Sequence, residues 1–87
     1  MGKPESILLQ VLRGASDANV SFADLCALLR HLDFDERIRG SHHIFTKLGI
    51  LEIINLQPKG AKAKPYQVKQ VRQIIVRHKM AGESDEQ

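Results

Sequence analysis

Three kinds of side chain in this sequence could take part in bond making: the adjacent imidazoles of His42 and His43 in GSHHIF, the hydroxyl of Ser41 beside them, and the thiol of Cys26. An imidazole titrates near about pH 6.5, so it can accept or release a proton at neutral pH, and such help is worth roughly 10² to 10⁴ in rate. Ser41 lacks a nucleophile-elbow motif and an evident aspartate to orient a histidine, so it fits a turn or a phosphate contact better than a hydrolase nucleophile. Cys26 belongs to a helical stripe with Phe22, Leu25, Leu29 and Leu32, which makes it a small core residue, because reactive thiols occupy exposed electropositive settings. Zinc requires three or four converging ligands. With one cysteine and no histidine pair suitably spaced on a helix face, neither a metal site nor a cofactor is expected.

Charge narrows the partners. The net charge is +3, but three of the ten acids, Glu83, Asp85 and Glu86, fall in the last five residues, so residues 1–82 carry +6. Between Ile53 and Gly82 there is no acid, yet Lys59, Lys62, Lys64, Lys69, Arg72, Arg77 and Lys79 all lie there. A one-sign stretch attracts polyanions, and nucleic acid is the commonest that such a protein meets; a merely solvated basic surface is the alternative. The chain offers no long apolar run and no signal-peptide pattern, so a cytoplasmic protein without a membrane partner is expected. A single cysteine gives no internal disulfide. Eighty-seven residues suffice for one small core, without room for a deep cofactor pocket.

The elements that must hold these residues follow from punctuation and period. SILLQVLR, Ser6 to Arg13, reads as a short apolar helix stopped by Gly14, with ASDAN as a loop. In SFADLCALLRHLDF, Ser21 and Asp24 have capping-box-like spacing ahead of the apolar stripe, and His31 falls in the last turn, where a cation suits the helix terminus. From Phe34 the period becomes two, with Phe34, Glu36 and Ile38 on one side and Asp35, Arg37 and Arg39 on the other. Gly40 permits a tight hairpin, HHIFTK returns, and ILEIINLQ is a third strand ended by Pro58. KGAKAKP reads as a basic loop before a last helix, YQVKQVRQIIVRHKM, with Val68, Val71, Ile74 and Ile75 inward and Lys69, Arg72 and Lys79 on another side. The expected fold is α+β: an antiparallel three-stranded sheet with helices on one face and the other face free, plus an additional N-terminal helix at about residues 5–13. The domain is expected over residues 1–82, its core at about 21–80, with residues 83–87 as a disordered acidic tail.

Strand geometry separates the two histidines. Neighbours on a strand point to opposite faces, so His42 aligns with Ile44 and Thr46 while His43 aligns with Phe45 and Lys47, and the two cannot act at one spot. Alternation alone leaves open which face is wet.

GSHHIF after a charged strand, preceded by DLCALLRHLDF and followed by NLQPKG and KAKPYQVKQVRQI, resembles the HicA family of bacterial toxins over roughly residues 21–79. That resemblance implies a fold similar to the double-stranded RNA-binding domain and a metal-free endoribonuclease that cuts mRNA, held inactive by a HicB-like antitoxin. It assigns the functional histidine to His42, which follows the glycine and small residue. Arg37, Arg39, Lys47, Lys59, Lys62 and Lys64 become candidate cations at the phosphate, with Ser41 as a further RNA contact and Lys69 and Arg72 holding the backbone further along. Many members carry another histidine just after the third strand. Gln57 and Pro58 stand there in this chain, which leaves His43 or Tyr66 as the group that could assist. A different class remains open: a non-catalytic RNA- or DNA-binding module, or a basic face that serves only a protein partner, with the oligomeric state undetermined.

Overall fold

The computed structural model describes residues 4–80, and the expected acidic tail lies outside them. Helix α1 covers Pro4–Arg13 and a short 3₁₀ turn covers Asp17–Asn19; helix α2 is Phe22–His31. Strands β1 (Asp35–Arg39), β2 (His42–Lys47) and β3 (Ile50–Leu56) follow, then a two-residue pair β4 (Pro58–Lys59) and β5 (Lys62–Ala63), then helix α3 (Pro65–Arg77).

Local chemistry accounts for the boundaries. The Ser21 hydroxyl accepts the Asp24 backbone N–H at 3.3 Å, an N-cap that starts α2 where the spacing predicts it. Pro65 occupies the first turn of α3, where a missing N–H costs nothing. Gly14 terminates α1 with φ of 68°, and a Cβ there would sit 3.0 Å from the Arg72 guanidinium, so the glycine serves both backbone and packing. Gly40, with φ of 61°, closes the β1–β2 turn.

The sheet is antiparallel in the order β1-β2-β3, with Glu36 opposite Phe45, Arg39 opposite His42, and Ile44 opposite Asn55. One face is covered: Phe45, Ile54 and Leu56 are fully buried in one apolar cluster with Leu25, Leu28 and Leu29 of α2 and Val68, Val71 and Ile75 of α3. The N-terminal helix joins that cluster through Ile7 and Val11 and packs on α2 and α3. Burial of this apolar surface, at about 25 cal/mol per Å², is what holds the layers together. The other face presents Arg37, Arg39, Thr46, Leu51, Ile53 and Asn55 to solvent.

The segment expected as a basic loop is instead the β4–β5 hairpin. Ala63 is buried and donates its N–H to the Val20 carbonyl at 2.9 Å, while Phe22 N–H bonds Ala61 O at 3.0 Å. These bonds staple the hairpin to the start of α2, a long-range pairing that composition could not show.

Candidate active site

Burial of Phe45 settles the faces of β2. His43, two residues before it, lies on the covered side, and His42 lies on the open side. Their environments differ accordingly.

On the open face, His42 Nδ1 is 3.0 Å from Asn55 Oδ1. Arg39 is its direct cross-strand neighbour on β1, so the two side chains emerge about 5 Å apart at Cβ. Gln57, just beyond β3, donates through Nε2 to Ser41 Oγ at 3.2 Å and accepts the Lys64 ammonium at its Oε1 at 3.4 Å. One end of the sheet thus collects an imidazole, a guanidinium, an ammonium, a hydroxyl and two amides. A groove of 410 Å³, lined by Asp35, Glu36, Arg37, Arg39, Ile44 and Thr46, runs along β1 and β2 beside it.

Gln67 supports this assembly from behind. It is 4% exposed, donates Nε2 to Asn55 O at 3.1 Å and accepts Gln57 N–H on Oε1 at 3.2 Å. Its amide makes the two bonds a fourth strand would make, satisfying the β3 edge and fixing the backbone that carries Asn55 and Gln57.

On the covered face, His43 Nδ1 donates to Glu36 Oε2 at 2.7 Å, and its ring meets Phe22 edge-on at a centroid distance of 4.9 Å. Arg30 binds the same carboxylate at both oxygens, at 2.7 and 3.2 Å. The Arg30 hydrogen bond, then that of His43, holds the Glu36 carboxyl below its ordinary pKa. Cys26, Glu36 and His43 place their ligand-type atoms within 4.8 Å of one another. Distance alone would suit a metal, but the Arg30 guanidinium already supplies the cation at Glu36. Burial, reinforced by the Glu36 charge, pushes the Cys26 thiol up to about 11, far from the thiolate a metal requires. The donor set fits a structural network better than an ion site.

The remaining candidates divide into those near His42 and those engaged elsewhere. Arg37, Arg39, Ser41 and Lys64 share its end or face of the sheet. Lys59 and Lys62 pair with each other on the exposed β4–β5 hairpin, and Lys69 is exposed on α3. Lys47 points to the covered side, donating to Leu32 O at 3.0 Å at the end of α2 and lying 6.0 Å from the centre of the Phe34 ring. Arg72 binds both Asp17 oxygens at 2.9 and 3.1 Å and the Val11 carbonyl at 3.1 Å, clamping α1 and the 3₁₀ turn to α3. The stripe of Lys69, Arg72 and Lys79 expected on one side of the last helix is therefore interrupted, because an acid 55 residues away in sequence meets Arg72. His43 faces away from His42, and Tyr66 is 65% exposed in the first turn of α3, two residues after the Gln57-bound Lys64.

Asn55 and Gln67 carry hydrogen bonds of the site without having stood out in the sequence, and Gln57 stood out only as the residue in place of a second histidine. Period two along β3 could have put Asn55 and Gln57 on one face, but pairing them with His42 needed the hairpin register.

No protein-family model, curated protein or solved structure matches this chain.

Proposed function

We propose that this protein is a HicA-like toxin, an mRNA-cleaving endoribonuclease that needs no metal and uses His42 as its proton-transfer group. The observation that carries the reading is the setting of His42 on the open sheet face, hydrogen-bonded to Asn55, opposite Arg39, and next in sequence to Ser41, which Gln57 links to Lys64. The helix, three-strand meander and helix, in that order, support a fold of the double-stranded RNA-binding type with an extra helix in front.

RNA brings its own nucleophile. His42 accepts the proton of the ribose 2′-hydroxyl as O2′ bonds to phosphorus, the bond from phosphorus to O5′ breaks, and the leaving oxygen takes a proton from water or an acid in the site. The products carry a 2′,3′-cyclic phosphate and a 5′-hydroxyl. Arg39 and Lys64 are placed to stabilise charge on the phosphorane, the kind of preorganised electrostatic help that often contributes most to rate. Arg37 on the same face, and Lys59, Lys62 and Lys69 exposed on the β4–β5 hairpin and α3, are the further cations offered to the flanking backbone.

No helix among the described residues is long and apolar enough to cross a membrane. The proposed site of action, on mRNA, is the cytoplasm. A HicB-like antitoxin is the proposed inhibitor. The exposed apolar residues Leu51 and Ile53 share the open face with His42, so a protein that covers that face along the whole length of β3 would also cover the imidazole.

Incubation of the purified protein with RNA in excess chelator tests the reading. Cleavage that vanishes in His42→Ala supports it. Binding without cleavage would instead identify a non-catalytic RNA-binding module, and 5′-phosphate products would exclude the 2′-hydroxyl route.

A further inference from the structure

We infer that Asn55 is a positioning residue that selects which nitrogen of His42 exchanges the proton. The inference rests on the reading of His42 as a proton acceptor, and it adds the tautomer and the residue that sets it.

Asn55 Oδ1 lies 3.0 Å from His42 Nδ1, and with the amide in this orientation the oxygen accepts, so the contact calls for the hydrogen on Nδ1. A neutral imidazole has one N–H, which leaves Nε2 with its lone pair. Histidine free in water favours the opposite tautomer, with hydrogen on Nε2. Without Asn55 the nitrogen that should accept a proton would mostly be occupied.

The backbone that carries Asn55 is firmly held. Its strand neighbours Ile54 and Leu56 are both fully buried, and its backbone carbonyl is pinned by the buried Gln67 at 3.1 Å. The Asn55 side chain is exposed and rises on the face of β3 beside Ile44, next to His42 along β2. A side chain whose backbone is fixed from behind and whose tip meets one ring nitrogen acts as an orienting group, the relation an acidic residue has to histidine in a hydrolase triad. An amide differs from an acid in one respect. It orients the ring without adding charge, so it does not stabilise the imidazolium as a carboxylate would.

That difference supplies the test. In the full-length protein labelled with ¹⁵N-histidine, the His42 ring signals, identified by their loss in His42→Ala, should report hydrogen on Nδ1 and a free Nε2 in alkaline buffer. In Asn55→Leu the ratio should shift toward hydrogen on Nε2, and RNA cleavage should fall about 10²-fold in kcat with little change in KM. Asn55→Asp should retain the Nδ1–H tautomer and most of the activity, with the acid limb of the pH–rate profile moved to higher pH. A wild-type His42 with hydrogen mainly on Nε2, or an Asn55→Leu protein with unchanged tautomer ratio, would overturn the inference, as would an unmoved acid limb in Asn55→Asp. If the wild-type protein does not cleave RNA, the nuclease reading falls, and the ring signals still decide the tautomer; if His42→Ala cleaves RNA normally, His42 is not the proton acceptor and the inference falls with it.

Discussion

Glu36 Oε2 and His43 Nδ1 meet at 2.7 Å on the covered face of the sheet, and Arg30 of α2 grips the same carboxylate from the other side. The three side chains tie β1, β2 and α2 together directly beneath the open face that carries His42. Two adjacent histidines thus differ in setting, one securing the strand and the other carried on the open face.

That difference predicts opposite phenotypes. His43→Ala removes a charge-assisted hydrogen bond and the edge contact with Phe22, and should cost about 1 to 3 kcal/mol of stability. His42→Ala should leave the urea midpoint nearly unchanged while lowering cleavage by roughly 10² to 10⁴. Equilibrium unfolding and a cleavage assay on both variants give the comparison; equal destabilisation by the two would contradict it.

Acid sensitivity follows from the carboxylates. Arg30 and then His43 depress the folded pKa of Glu36, and Glu52 is drawn down to about 2 by its own backbone N–H, then His78, then Arg77. A group whose folded pKa is lowered stabilises above its unfolded value, about 4.3 for glutamate, and that contribution is lost as pH falls through the folded value. Wild type should therefore lose stability progressively below about pH 4 to 5, and Glu36→Gln should lose less over the same interval. Urea titrations of both proteins from pH 7 downward measure the difference, which should shrink toward low pH. A gap that stays constant would show that Glu36 is not responsible.

The elements were legible where local signals were strong. Ser21 capped its helix, Gly40 made its turn, and period two put His42 and His43 on opposite faces. What could not be read was pairing between distant residues. The spacing of Arg72 with Lys69 and Lys79 suggests a basic stripe, but its fate depended on Asp17, delivered by the fold of the N-terminal helix. Asn55 reaches His42 only through the register of β2 with β3, and polar residues on a strand advertise no partner until that register is known. Likewise KGAKAKP looked like a loop because its pairing depends on contacts with Val20 and Phe22 rather than on its own apolar content.

Arg72 should behave as a structural residue. It satisfies a backbone carbonyl and a carboxylate at once while only 19% exposed, so Arg72→Ala leaves Asp17 and the Val11 carbonyl short of their partner. A loss of about 2 kcal/mol is expected, with α1 becoming the first segment to exchange its amide hydrogens. Arg72→Lys should recover little, since a point charge cannot reproduce the fork that binds both Asp17 oxygens. Hydrogen exchange with mass detection resolves the segment; uniform loss of protection across the sheet would argue against this account.

Cys26 should be chemically silent in the folded protein. Its side chain is 2% exposed, and burial pushes the thiol up to about 11, so at pH 8 almost none is thiolate. Alkylation by iodoacetamide at pH 8 should be slow under native conditions and fast in urea. Rapid native labelling would show that α2 opens away from β1 and β2 far more often than the packing around Glu36 and His43 implies.

On the proposed RNA-cleaving reading, salt dependence distinguishes the cations that would meet RNA from those that hold the fold. Each phosphate neutralised by a lysine or arginine releases counterions, and for single strands each contributes about 0.7 to the slope of log K against log salt. Lys62 is exposed on the β4–β5 hairpin and Arg39 stands beside His42, so Lys62→Ala and Arg39→Ala should each flatten the slope by roughly that amount. Lys47 is turned to the covered side, where it bonds the Leu32 carbonyl, and Lys47→Ala should alter stability while leaving the slope as in wild type. Binding of His42→Ala protein to a labelled RNA across a salt series avoids cleavage during the measurement, so each substitution is made in that background. A slope changed by Lys47→Ala but not by Arg39→Ala would place the RNA on the wrong side of the sheet for His42 to reach it, because these two side chains emerge from opposite faces of the same hairpin.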